Sequence, residues 1–367
     1  MSFYDSGLVA HVIGVMSGTS LDGLDLAACS FTRNSGKWRF SIEAVRTVEY
    51  SSEWRQSLGT AHHLNAVDLL QLHFRFGRYV ADCVNMFISD YNLTKEQYAV
   101  ASHGHTVFHQ PENGLTCQIG SGLHISLVTG MICINDFRTA DVAMGGQGAP
   151  LVPAGDELLF DEYNACLNIG GFSNCSFRKN RGRIAFDICP ANIVLNALTE
   201  KIGKSFDENG CMAATGMVRS DLLETLNAHG YFKLLPPKSL GREWVDEFVM
   251  PLLIKSKYEI ADLLRTYVEH IAIQICQSLA GYNNILVTGG GAHNSFLMNR
   301  MQHLSGSAFV VPDSSLVDFK EAIVFAFLGL LRLRGQDNVL ASVTGAPRNH
   351  CSGLVHLPPI FSTNLRE

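Results

Sequence analysis

Three stretches of the chain share one design: an apolar run that stops abruptly at a turn of glycine and small polar residues. They are VIGVMSGTSLDGLDLAAC (12–29), LNIGGFSNCSF (167–177) and NNILVTGGGAHN (283–294). Unbroken apolar runs of this length read as strands buried on both faces. Glycine at the turn lets backbone come close to a ligand and adopt positive φ. Successive N–H groups in such a turn form a concavity suited to phosphate oxygens. The turns Ser17–Gly23, Gly170–Asn174 and Gly289–Asn294 are therefore candidate phosphate sites, with Ser17, Thr19, Ser20, Ser173 and Asn174 as extra donors. Any one turn alone reads more readily as a plain strand connection; three of this character, symmetrically placed in two lobes, reverse that preference.

The rest of the chain fits an α/β protein. Residues 9–16, 24–31 and 38–50 read as strands, and Asn65 as the N-cap of a long helix whose stripe runs Leu69, Leu72, Phe76, Val80, Cys83 and Phe87. Residues 98–107 and 131–137 read as further strands. The Gly/Pro-rich segment 145–156 marks a crossing, after which the pattern restarts: strand–turn–strand over 165–177, a strand at 183–188, a helix from Ala191, and a long helix near 257–280. Strand 283–288, helix 295–304, strand 308–313 and helix 319–334 complete it. This predicts two lobes, 1–150 and 151–334, with a helix in 335–367 returning to the first. A duplicated unit of this kind places its ligand in a cleft between halves.

Several functions are disfavoured. A net charge of −6 without an extended basic run argues against nucleic acid as partner. The longest apolar stretch, 322–331, is half of what spans a bilayer, and the start of the chain lacks a signal-peptide pattern. Ten scattered cysteines with no C-x-x-C pair suit a reducing compartment, so the expected location is the cytoplasm. There is no G-x-x-x-x-G-K-[ST] and no G-x-G-x-x-G after a strand, which counts against a P-loop or dinucleotide fold.

Three acids stand out. Asp22, in the first turn, is placed to hold Mg²⁺ through water. Asp136 and Asp187 end strands, where a general base belongs, although each of the three acids taken singly reads equally as a helix cap or turn residue. Placed on one strand, His103 and His105 would share a face; the pair reads as sugar-binding or structural histidines more readily than as metal ligands.

These segments resemble those of the anhydro-N-acetylmuramic acid kinases, of the sugar kinase/Hsp70/actin superfamily. The resemblance runs nearly end to end through GVMSGTSLDGLD, HGHTVFH, QIG, NDFRTADVAMGGQGAPLVP, LNIGGFSN, PPKSLGRE, VTGGGAHN and SVTGA. It implies two actin-like (ribonuclease H-like) lobes around an active-site cleft, ATP and Mg²⁺ as cofactors, and a homodimer. It also implies hydrolytic opening of a 1,6-anhydro sugar coupled to phosphorylation of O6, in peptidoglycan recycling. By motif position Asp187 is the catalytic aspartate. Gly18, Thr19, Ser20, Leu21, Asp22, Gly23, Gly170, Gly171 and Ser173 would hold the phosphates, and Gly289, Gly290 and Gly291 the adenosine. His103, Asp136, Arg138, Gln147 and Asn192 would meet the sugar.

The chain departs from the family pattern at Ile188 and Cys189, in D-T-G-P-[GA]-N, at Ser121 after QIG, and at His105 in HGQTV. These departures are expected to bear on sugar recognition. A kinase for a different amino sugar or anhydrosugar, and an actin- or Hsp70-like ATP switch, are the competing expectations.

Overall fold

The computed structural model describes residues 9–18, 20–180 and 182–359. The chain forms two compact units, Met1–Leu159 with Phe319–Glu367, and Phe160–Asp318.

The first unit is built on a sheet of seven strands: β1 (Ala10–Ser17), β2 (Gly23–Asn34), β3 (Lys37–Glu49), β4 (Tyr98–Gln110), β5 (Leu115–Ile119), β6 (Cys133–Asn135) and, from the far end of the chain, β12 (Leu354–His356). Their order is β12-β6-β4-β1-β2-β3, with β5 paired to β4. The strands β1, β2 and β3 form an antiparallel meander, and β4 and β6 run parallel to β1. Ile13, Val15, Leu24, Leu26 and Val100 point to one face and bury Phe76, Val80 and Phe87 of the helix Ala66–Asp90. Each such aromatic contributes about 2–3 kcal/mol by leaving water. Asn65 caps this helix, its Oδ1 accepting the N–H groups of Val67 and Asp68 at 3.0 Å.

The helix Ser314–Leu333 covers the other face. Gly14 makes that approach possible, since a Cβ there would stand 1.9 Å from the Ala322 carbonyl oxygen. Beyond Leu333 the described residues hold one helical turn, Ala341–Thr344, and β12, instead of the expected helix. Gly335, Gly345 and Gly353 all take positive φ there and interrupt any helix.

The second unit repeats the plan with β7 (Ala165–Ile169), β8 (Phe172–Lys179), β9 (Gly182–Pro190), β10 (Ile285–Thr288) and β11 (Phe309–Val310). The order is β11-β10-β7-β8-β9: β7, β8 and β9 are an antiparallel meander, and β10 and β11 lie parallel to β7. Its core gathers Leu167, Ile169, Cys175 and Val287 around Tyr267 and Ile271 of the helix Ile260–Ser278. In each unit the first three strands form a meander, one later strand (β4 or β10) pairs in parallel with the first, and another (β6 or β11) pairs in parallel with that one. That is the strand order of a ribonuclease H-like lobe.

Candidate active site

In the first unit the turn 18–22 leaves β1 and re-enters the sheet as β2. Leu21 holds φ +59°, a left-handed conformation uncommon for a branched side chain. Its side chain packs on the apolar core, so Leu21 can offer a ligand only its backbone. Asp22 is exposed, and its Oδ1 accepts the Ser20 hydroxyl at 2.7 Å and the Gly23 N–H at 3.0 Å. Gly23 is required by crowding: a Cβ would meet Thr47 Cγ2 at 2.7 Å and the Val48 carbonyl at 2.8 Å. Thr19 lies outside the described residues.

Ser17 is not a ligand donor. It is 2% exposed, accepts the Tyr50 hydroxyl at 2.7 Å, and lies 3.0 Å from His105 Nδ1. With Tyr50 donating, the Ser17 proton goes to Nδ1, and His105 is protonated on Nε2. Burial lowers its pKa to about 4.

The expected shared face for His103 and His105 is not found. His103 packs on Phe325 of the 314–333 helix, and His105 on Phe76 of the 66–90 helix. Between them Gly104, at φ +75°, adds a bulge to the β1–β4 ladder, where Val15 pairs with Ser102 but Ser17 with His105. One extra residue sends the next side chain to the opposite face. His103 is instead joined to Arg138, whose Nε–H donates to its Nε2 at 3.0 Å while Nη1 donates to the Gly148 carbonyl at 2.7 Å. His103 therefore carries its proton on Nδ1, 2.9 Å from the Gly104 carbonyl. Burial, and then the Arg138 charge, hold it neutral well below the usual histidine range. Burial likewise pulls Arg138 down to about 10.

Asp136 directly follows β6 at φ +54°, its Oδ1 accepting the Thr139 N–H. Gln147 is exposed and tied to the Thr344 carbonyl through its backbone. Among the described residues no cluster of three His, Cys, Asp or Glu side chains could hold a metal ion.

In the second unit two glycine turns lie side by side, because β7 and β10 are parallel neighbours and both end there. Gly289, at φ +83°, sits against Asn168 and Ile169: a Cβ would fall 2.6 Å from Asn168 Oδ1 and 2.9 Å from the Ile169 carbonyl. Gly291 is tighter still: a Cβ there would fall 2.2 Å from Ile169 Cγ2. The start of the helix Asn192–Glu200 closes over the first turn: the N–H groups of Ala191 and Ile193 bond the Gly171 carbonyl, and that of Asn192 the Gly170 carbonyl. The Asn192 amide donates to the Ile169 carbonyl at 3.3 Å.

Cross-strand register then sets Thr288, Asn168, Asn174 and Asp187 in one row on the face away from the core. This polar row leads from the glycine turns to the carboxylate. Asn168 and Thr288 escape a reading of turns alone; their signal is a polar residue at the end of the apolar run, two positions before Gly170 and one before Gly289.

Asp187 is half-buried, and burial raises its carboxyl above the usual range against an opposing Leu240 N–H. Ile188 is the extra residue of a second bulge, since Ser173 pairs with Cys189 and Asn174 with Asp187. Ile188 and Cys189 thus both enter the core, leaving Asp187 outward. Ser173 is fully buried, its hydroxyl 3.0 Å from the Cys189 carbonyl and 3.2 Å from Sγ, so it gives no hydroxyl to a phosphate. Burial pushes the Cys189 thiol up to about 12, which removes it as a nucleophile. The four departures from the family pattern, His105, Ser121, Ile188 and Cys189, are all buried. Each is packed inside its own unit, so any effect on the sugar would pass through the residues it packs against. A cavity of about 340 Å³, lined by Asn164, Arg183 and Tyr282 among others, lies at the opposite end of β7 from Gly170.

Two ribonuclease H-like units, one with an acidic small-residue turn and one with paired glycine turns beside an outward carboxylate, define a duplicated α/β protein. The family model for anhydro-N-acetylmuramic acid kinase matches residues 10–358, and the chain belongs to that family. Curated relatives of that name include proteins of Aliivibrio fischeri (35% identical, 94% of this chain and 98% of theirs), Xanthomonas oryzae (35%, 94% and 96%) and Pseudomonas fluorescens (34%, 95% and 99%). Among solved structures, the ADPNP-bound activator of 2-hydroxyisocaproyl-CoA dehydratase from Clostridium difficile matches with a TM-score of 0.44 at 14% identity, covering 88% of this chain and 96% of that one. The fold class itself rests on the strand order of the two sheets. Among the described residues no helix is long and apolar enough to cross a membrane.

Proposed function

We propose that this chain is an ATP-dependent anhydro-N-acetylmuramic acid kinase that opens the 1,6-anhydro ring with water and phosphorylates O6, giving N-acetylmuramic acid 6-phosphate. In this reading Asp187 takes a proton from water as the water oxygen bonds to C1. The C1–O6 bond breaks, O6 keeps the electron pair and attacks the γ-phosphorus, and ADP leaves. Such transfers depend mainly on positioning and electrostatic stabilisation.

The observation that carries the proposal is Asp187: an outward, half-buried carboxylate in the same polar row as the paired glycine turns. A carboxyl raised by burial is a better base than an ordinary one. The backbone of Gly18–Gly23, Gly170 and Gly171 would hold the phosphates, and Gly289–Gly291 the adenosine. Asp22 suits Mg²⁺, which usually takes one or two carboxylates and completes its shell with water and phosphate. Its exposed carboxylate fits that role, and Mg²⁺ when bound would neutralise phosphate charge. His103, Asp136, Arg138, Gln147 and Asn192 are proposed sugar contacts. Of these, His103 is 4% exposed and acts by fixing Arg138.

Membership of the anhydro-N-acetylmuramic acid kinase family, matched over residues 10–358, supports the anhydro sugar as substrate. The setting would be the cytoplasm, in peptidoglycan recycling, and the assembly a homodimer; light scattering at a single 40.2 kDa chain would refute the dimer. Following ADP release from purified protein over a panel of amino sugars and anhydrosugars tests the reaction. The anhydro sugar should be preferred; a clear preference for another sugar, or no sugar dependence, would overturn the reading.

A further inference from the structure

One stretch of chain, 231–240, grips Asp187 at three points. The Asp187 N–H donates to the Lys238 carbonyl at 3.2 Å, and its carbonyl accepts the Tyr231 hydroxyl at 2.6 Å. Its Oδ2 accepts the Leu240 N–H at 2.9 Å. β9 is the outer strand of its sheet, so this stretch occupies a backbone edge that would otherwise be open.

The grip is itself fixed. The Tyr231 N–H bonds His229 Nδ1 at 3.1 Å, at the start of the short helix Gly230–Lys233. The Tyr231 ring packs on Trp244 at 5.6 Å and under the Lys238 ammonium at 4.6 Å. Lys238 Nζ also donates to the Tyr231 carbonyl at 3.3 Å.

We propose that Tyr231 and the Lys238–Leu240 segment are positioning residues for Asp187, committing Oδ2 to the protein and presenting Oδ1 as the atom that receives the water proton. The inference rests on Asp187 being the base of the proposed reaction. A carboxylate tethered at one oxygen cannot spin about Cβ–Cγ, so its other oxygen keeps one bearing toward the substrate. The Leu240 N–H also favours the ionised form, which burial opposes. Tyr231 from this stretch and Cys189 from the sheet are the titratable groups that act on Asp187; Lys238 and Cys175 lie beside them, and Tyr267 of the 260–278 helix lies beside Cys189. Tyr231, Cys189 and Tyr267 are pushed up by burial and stay neutral where a carboxyl titrates.

The test compares Tyr231→Phe, Leu240→Pro, Leu240→Ala and Asp187→Asn in sugar-dependent ADP release, with a pH profile of kcat/KM and a thermal melt for each. Tyr231→Phe should lower kcat about tenfold with the KM for ATP unchanged. Leu240→Pro deletes the donor, so kcat should fall and the acid limb move to higher pH. Leu240→Ala keeps the N–H and should leave the limb in place. Wild-type kcat and limb in both Tyr231→Phe and Leu240→Pro, with Asp187→Asn inactive, would overturn the positioning role and leave the base assignment standing. Turnover in Asp187→Asn would remove the base assignment and this inference with it. Should Leu240→Pro fail to fold, the kcat-against-KM split in Tyr231→Phe decides.

Discussion

At the residue scale, two histidines show how burial sets chemistry. His103 and His105 stand one glycine apart, yet each is enclosed by a different helix and each is neutral. For His105 the folded value of about 4 lies below the ordinary 6.5, so between these values the unfolded chain binds more protons. Stability therefore rises with pH across that window and is lost as pH falls through it. The contribution lost between pH 7 and pH 5 is roughly 2 kcal/mol. Changing His105→Gln replaces the titrating ring with a neutral amide able to bond Ser17. Urea unfolding at pH 7 and pH 5 should show a smaller difference for the variant than for the wild type; an equal difference would mean that His105 does not sense pH. The sequence shows both histidines but not their separation, because a one-residue bulge depends on tertiary pairing and leaves only Gly104 as its trace. Tyr231 and Leu240 were equally hidden: they meet Asp187 across about fifty residues of chain, and no local periodicity encodes that.

At the scale of elements, the turns were legible and their use was less so. Apolar runs before glycine located β1, β7 and β10, and Asn65 marked the start of the 66–90 helix, since these follow from local chemistry. What escaped was the direction of side chains near the turns. Ser17 and Ser173 look like donors in sequence, but both point inward and are consumed by Tyr50 and Cys189. Gly289 shows how narrow the tolerance is. Its φ of +83° suits only glycine, and a Cβ would collide with Asn168. Gly289→Ala should lower the melting temperature by several degrees, corresponding to about 2–3 kcal/mol, and weaken ATP binding at least tenfold by calorimetry. Unchanged binding in a folded variant would show that this turn does not receive the nucleotide.

On the scale of the whole molecule, one strand plan appears twice, and the two copies have specialised. The first carries the acidic turn and the His103–Arg138 pair; the second carries paired glycine turns and a carboxylate held from the sheet edge. The repeat was visible in the sequence because both copies begin with strand, small-residue turn and strand. Among the described residues the C-terminal segment is not the expected helix, because Gly335, Gly345 and Gly353 break it with positive φ.

The most direct test supplies 1,6-anhydro-N-acetylmuramic acid, ATP and Mg²⁺ in ¹⁸O-labelled water and reads the product by mass spectrometry. The account predicts a single heavy oxygen at C1 and a phosphate on O6. Phosphorylated product without the heavy oxygen, or labelled sugar without phosphate, would contradict it.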